Sequence, residues 1–209
     1  MNVSIITPVY NDPRLRRCIE SIRKQRTDFT LEHIVVDGMS TDETVDILRQ
    51  YEDHIDTLVR ESDSGIYDAM NEGIERATGA VVGILNADDR YQDKHVLQDV
   101  HNRLQETGAG TVYGDVVYVD ETDTVSRYWS SGPFSRYNFY LGWMPPHPSF
   151  FVRRHLYKKY GRFDTDLPIA ADYEFIFRLL MKHDVPTSYV NRVLVRMDSG
   201  GASNRSPQS

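Results

Sequence analysis

Two adjacent acids, Asp88 and Asp89, follow a short apolar run and an asparagine, Asn86. Paired carboxylates at the end of a buried strand offer oxygen ligands to a hard divalent cation, magnesium or manganese. Such a cation commonly takes one or two carboxylates and completes its shell with phosphate oxygens. Acids at a helix N-terminus are the plain alternative, since the helix dipole favours them there. Asp37 ends another apolar run beside Gly38, where its carboxylate can accept from a nucleobase or close an Asx turn. A calcium loop starting at Asp37 fails, because Met39 and Thr41 stand where side-chain ligands are needed. The stretch 61–73 holds Asp68 and Asn71 three apart on one helical face, behind a glycine, Gly65, that lets backbone approach a ligand. Asp172 opens a late helix, either as a cap or as a carboxylate kept ionised to take a proton. Glu174, one turn inside, is a weaker rival. His147 lies between Pro146 and Pro148 and can touch a diphosphate or an acceptor, or be structural. Trp143, with Phe139 and Tyr140, can stack on sugar faces or form a local core.

The elements that must position these groups alternate. Strands are expected at 3–7, 33–37, 57–61, 80–86 and 111–117, separated by helices at 15–22, after a Ser40/Glu43 capping box, at 66–78 and at 94–106. That rhythm implies an α/β chain with a mostly parallel sheet covered on both faces. Ligands in such sheets sit outside the carboxyl ends of the strands, and the clusters 7–11, 37–38, 61–65 and 86–89 all fall at those ends. Beyond residue 115 the pattern changes: a hairpin over 116–130, an aromatic stretch at 134–143, a strand at 148–152 and a helix at 172–183. Residues 201–209 read as a flexible tail.

The chain has 209 residues, with 24 Lys and Arg against 31 Asp and Glu, a net charge of −7. A surface of that sign disfavours nucleic acid as a partner. The single cysteine, Cys18, excludes an internal disulfide and any cysteine-rich metal cluster. No apolar run is long enough to span a membrane, and the first residues carry neither the basic lead nor the apolar core of a signal peptide. The expected setting is therefore cytoplasmic. A basic run, Arg153, Arg154, Lys158, Lys159 and Arg162, suggests either a solvated helix face or peripheral contact with an anionic membrane.

Taken together, Thr7-Pro8-Val9-Tyr10-Asn11, Val35-Val36-Asp37-Gly38 through Thr44, Asp63-Ser64-Gly65 through Gly73, and Leu85-Asn86-Ala87-Asp88-Asp89 resemble a family 2 glycosyltransferase of the GT-A fold. His147-Pro148-Ser149 and Ala171-Asp172-Tyr173-Glu174 extend the likeness, and the motifs keep their order. The nearest kin in pattern are short bacterial enzymes of exopolysaccharide and O-antigen assembly. The resemblance implies a Rossmann-like sheet with a small acceptor subdomain, and inverting transfer of a sugar from a nucleoside diphosphate sugar to a glycan or lipid-linked acceptor. It implies that Thr7, Pro8, Tyr10, Asn11 and Asp37 hold the nucleoside and that Asp68, Asn71 and Asp88 face the donor. Asp89 would bind Mn2+ or Mg2+, and Asp172 would be the base. Residues 1–115 would hold the donor and 116–200 the acceptor. Residues 199–203 would close as a lid. A UDP-sugar is favoured because a carboxylate suits the uracil imide, with a GDP-sugar as the second choice. A sugar nucleotidyltransferase would need a Gly-rich basic loop after the first strand, which residues 8–13 are not. A fold-keeping scaffold without catalysis is the remaining rival.

Overall fold

The structure, a computed structural model, describes residues 1–198. The first strand, β1 (Val3–Val9), is buried along its whole length. Such a run tolerates no wet face and demands cover on both sides. Its side chains alternate, so Ile5 packs toward Cys18 and Leu97 while Ile6 packs toward Met70 and Phe175. These are the two larger apolar clusters, and a third gathers Val9, Leu15, Ile19, Val35, Ile47 and Leu48.

In chain order β1 is followed by α1 (Leu15–Arg23), β2 (Leu31–Asp37), α2 (Thr44–Gln50), β3 (Thr57–Arg60), α3 (Ile66–Arg76) and β4 (Val81–Ile84). Next come β5 (Asp89–Tyr91), α4 (Val96–Thr107), β6 (Thr111–Val119), β7 (Val125–Trp129) and α5 (Arg136–Tyr140). The described chain closes with β8 (Phe151–Arg153), α6 (His155–Tyr160), α7 (Ala171–Phe177) and β9 (Thr187–Asp198). The sheet runs β3-β2-β1-β4-β8-β6-β9-β5, with β7 hanging from β6. The first four strands are mutually parallel, as is the β6–β9 pair. Antiparallel β8 joins the two halves by pairing with both β4 and β6. The α/β architecture expected from the sequence is thus present, and its sheet is continuous across residue 115, which lies within β6.

Three local expectations are corrected. Ser40 and Glu43 do not cap each other: α2 starts at Thr44, and the Ser40 hydroxyl instead accepts the Asn11 N–H at 2.8 Å. The 66–78 helix stops at Arg76, and Gly79 serves close packing, since a Cβ there would lie 2.6 Å from Ser4 Oγ. The 172–183 helix divides into α7 and a π turn over Arg178–Lys182. Two strands, β5 and β9, have no counterpart in the sequence reading. The expected hairpin is present as β6–β7, and Asp115 ties it to β9 by accepting from Tyr128, Tyr189 and the Ser131 N–H.

Gly73 shows why α3 can sit low on the sheet. A Cβ at that position would fall 2.4 Å from Ile6 Cγ2, so the helix approaches β1 only because no side chain intervenes. Cys18, on the opposite face, is fully buried with its thiol 3.6 Å from Thr7 Oγ1, and burial pushes that thiol far up from its ordinary range.

Candidate active site

A cleft of about 410 Å³ opens over the carboxyl ends of β1 and β4. Its lining comes from four segments. The β1 end supplies Pro8, Tyr10, Asn11, Asp12 and Arg14; the β3–α3 turn supplies Asp63, Gly65 and Ile66; the β4–β5 turn supplies Asn86, Asp88 and Asp89; and the opposite wall is Tyr118 and Asp198. Each wall ends a strand, so the sheet fixes their separation and the loops need only cover short distances. Gly65 has φ of +128°, and no atom lies within 4 Å of where its Cβ would be. Open space therefore lies beside Gly65 at the start of α3, although its N–H donates to Asp63 Oδ1 at 3.0 Å and its carbonyl accepts the Asp68 and Ala69 N–H groups.

The floor is acidic. Asp89 is 2% exposed, and the Asn86 amide donates weakly to it at 3.4 Å. Burial, reinforced by Asp88 and Asp198, pushes its carboxyl well above the usual range. Burial also raises Asp88, aided by Asp12 and Asp198 and opposed by Arg14, whose guanidinium lies 3.7 Å away. Arg14 is held mainly by Asp12, at 2.5 Å. Asn86 Oδ1 is buried without a partner. The donor set is oxygen throughout, short of positive charge and open toward the cleft. A hard divalent cation satisfies each of those conditions. Among the described residues no three His, Cys, Asp or Glu side chains converge as a complete metal site, so the protein alone would supply two carboxylates.

Asp172 stands at the first turn of α7, beyond the cleft's edge. It accepts the Tyr67 hydroxyl at 2.9 Å, and Tyr67 follows the cleft residue Ile66 on α3. Burial, followed by the Asp172 charge, pushes the Tyr67 phenol up to about 12, so it remains a donor. Ala170 adopts φ of +67° just before the helix, the bend that turns the chain into α7. His147 packs edge-on to Phe163, and burial lowers its ionisation against the opposing pull of Asp172.

The structure therefore gathers Pro8, Tyr10, Asn11, Asp88 and Asp89 on one cleft and sets several other expected residues aside. Thr7 is fully buried and bonded to His33 at 3.0 Å. Asp37, 0% exposed, sits behind the lining with its oxygens on the Ser40 N–H at 2.9 Å and the Arg60 guanidinium at 2.7 Å. Asp68 accepts the Ser64 N–H, and Asn71 clamps both backbone groups of Phe163. Glu174 is paired with Arg178 at 2.6 Å. Trp143 belongs to an aromatic core with Phe134 and Phe139, its indole N–H donating to Ser131 O. The basic run is largely consumed: Arg153 donates to Ala109 O and Leu104 O, Arg154 to Gly79 O, and Arg162 pairs with Glu75. The expected lid at 199–203 and the tail lie outside the described residues. Asp12, Arg14, Asp63, Tyr118 and Asp198 line the cleft without having been singled out. Asp12 and Asp63 belong to polar clusters the sequence does display, whereas Tyr118 and Asp198 reach the site only through the pairing of β6 with β9.

A sheet of this order, with its cleft across the parallel strand ends, is the GT-A fold of glycosyltransferases. The family model for Glycosyl transferase family 2 matches residues 4–163, and the chain belongs to that family as a glycosyltransferase. It is similar to an uncharacterized glycosyltransferase of Mycobacterium tuberculosis, 35% identical over 211 residues, covering 99% of this chain and 79% of the relative. It is also similar to the PGL/p-HBAD biosynthesis glycosyltransferase of Mycobacterium bovis, 33% identical over 208 residues, covering 96% and 78%. Among solved structures it shares its fold with S. aureus TarS 1–349 in complex with UDP-GlcNAc, at a TM-score of 0.78 and 21% identity. That match covers 97% of this chain, which spans only 60% of the TarS chain. The Pyrobaculum calidifontis mannosyltransferase PcManGT, in complex with GDP-Man and Mn2+, matches at 0.68 and 21% identity over 94% and 56%. No helix among the described residues is long and apolar enough to cross a membrane.

Proposed function

We propose that the chain transfers a sugar from a nucleoside diphosphate sugar to an acceptor hydroxyl with inversion at the anomeric carbon. The observation that carries the reading is the joint placement of the Asp88–Asp89 floor, the open space beside Gly65 and the Asp172–Tyr67 pair along the start of α3. Tyr10 and Asn11 hold the nucleoside side of the donor, and the α3 N-terminus faces its diphosphate. Asp172 accepts the acceptor proton while the diphosphate leaves from the opposite face of the sugar. Tyr67 holds that carboxylate in place. One base suffices, because a diphosphate leaves without needing the acid that an alkoxide requires.

Asp88 and Asp89 fit a divalent cation, Mn2+ or Mg2+, which neutralises charge developing on the leaving diphosphate when bound. The mannosyltransferase neighbour's complex with Mn2+ supports this reading. UDP is favoured over GDP as the leaving group; the neighbours include complexes with UDP-GlcNAc and with GDP-Man. The acceptor is a glycan or a lipid-linked sugar. Cytoplasmic residence agrees with donors of that class.

Thermal unfolding with UDP, GDP, CDP or dTDP, each with and without Mn2+, tests the donor half. A ligand at a hundred times its Kd stabilises by about 2.7 kcal/mol. One diphosphate is expected to raise Tm only when metal is present. No response to any of them removes the reading and favours a non-catalytic scaffold. NMR of the product anomer tests inversion.

A further inference from the structure

Among the described residues, six of the twelve exposed large apolar side chains lie on or beside α5 and α7. Tyr137, Tyr140 and Leu141, on α5 and just after it, are 70%, 74% and 69% exposed. Tyr173 and Phe177, one turn apart on α7, are partly exposed beside them. Buried Phe139 joins the two helices, its ring 5.7 Å from Tyr173 and 5.9 Å from Phe177. Ile169, just before α7, is also open to solvent. Scattered apolar residues are normal on a protein surface, but a joined aromatic and aliphatic face marks a contact.

The rim of this face is cationic. Arg136, which opens α5, donates to Met181 O at 3.1 Å and pairs with Asp184, fixing α5 against the end of the π turn. Lys159 lies 4.9 Å over the Tyr160 ring, which stacks on His183 from that same end. Lys158, Lys159 and Lys182 are exposed. Arg136, Lys158, Lys159 and Lys182 thus stand on the elements that edge this face, where Asp184 pairs with Arg136 and Asp172 adjoins Tyr173, in a chain whose overall charge is −7. Glu174 does not alter this, being matched by Arg178. Tyrosines with wet hydroxyls, aliphatic tips and flanking lysines suit the boundary between lipid headgroups and acyl chains. The rim's sign selects an anionic surface.

We propose that the α5–α7 face docks onto an anionic lipid bilayer. The docking stands independently of the catalytic reading. Joined to it, docking would bring Asp172, the neighbour of Tyr173, to headgroup height, where a lipid-borne hydroxyl can reach it.

Co-sedimentation with vesicles of phosphatidylcholine, alone or mixed with phosphatidylglycerol, tests the proposal. The wild-type protein is expected to bind the mixed vesicles and to release as salt is added. The Tyr140→Ser/Leu141→Ser double variant is expected to lose roughly tenfold or more in partitioning. Lys158→Gln/Lys159→Gln is expected to lose only the part that depends on phosphatidylglycerol. Both variants alter exposed side chains, and an unchanged circular dichroism melt shows that they fold. Wild-type protein that stays in the supernatant, or a double variant that binds like wild type, overturns the proposal. So does sedimentation velocity showing a dimer that the double variant loses, which would make a second copy the occupant.

Discussion

Tyr67 on α3 donates its hydroxyl to the Asp172 carboxylate on α7 at 2.9 Å, across 105 residues of sequence. The bond links the helix that walls the cleft to the helix that carries the proposed base. It also fixes which carboxylate lone pairs remain for an incoming hydroxyl. Because burial keeps the phenol protonated to about 12, the donor role holds at any pH at which the protein works.

Replacing Asp172 with Asn should remove the proton acceptor and leave the cleft intact. We expect kcat to fall by about 10²–10⁴-fold while the diphosphate-dependent Tm shift is retained. Tyr67→Phe should lower kcat by about tenfold, with the donor KM unchanged, because it loosens the base without touching the donor. Steady-state kinetics alongside thermal shift separate the two.

Asp89→Asn should stabilise the metal-free protein and inactivate it. The folded-state carboxyl is raised above its unfolded value, so ionisation opposes folding as pH rises through that window. Removing the charge relieves this at neutral pH. For a chain of this size each kcal/mol relieved raises Tm by about 2–4 °C. Added Mn2+ should stabilise wild type and not the variant, which differential scanning calorimetry reads directly.

Gly73→Ala sets two effects against each other. Alanine gains about 1 kcal/mol of helix propensity over glycine. Its Cβ would meet Ile6 at 2.4 Å, and Ile6 is fully buried in β1 with nowhere to move. Overpacking costs about 1–3 kcal/mol, so net destabilisation is expected in urea unfolding.

His33 introduces a pH dependence. Burial lowers its ionisation from 6.5 to about 4 in the folded state, so the neutral ring is the one the fold accommodates. As pH falls below 6.5 the unfolded chain takes up a proton that the folded one refuses, and stability declines until about 4. His33→Gln should flatten the slope of unfolding free energy between those values, measured by chemical denaturation across that range.

What the sequence displayed, and what it hid, follows from how each element is stabilised. β1, β2 and β4 are buried on both faces, so they appear as apolar runs that stop at polar clusters, and Asp88 and Asp89 could be placed from that alone. β9 escaped because Arg192 and Arg196 interrupt its apolar residues; its strand character comes from the ladder with β6, a long-range partnership. Asp198 was hidden with it. Asp37 is legible as a nucleobase acceptor or an Asx-turn residue, and it does accept the Ser40 N–H, but its contact with Arg60, 23 residues away, arises only once β2 and β3 pair. The basic run divides for a related reason: carbonyls from distant loops, invisible in a local count of charge, take up Arg153 and Arg154 and leave Lys158 and Lys159 exposed. Trp143 was open to two roles until the ring packing with Phe134 and Phe139 assigned it to the core.

Cys18, sealed between Thr7 and the α1–α4 face, gives the chain a built-in clock. A thiol that is both inaccessible and held protonated does not react with alkylating reagents, so each labelling event reports an opening of this core. With one such group in the chain, the rate of mass increase at saturating reagent counts those openings directly, without an engineered probe.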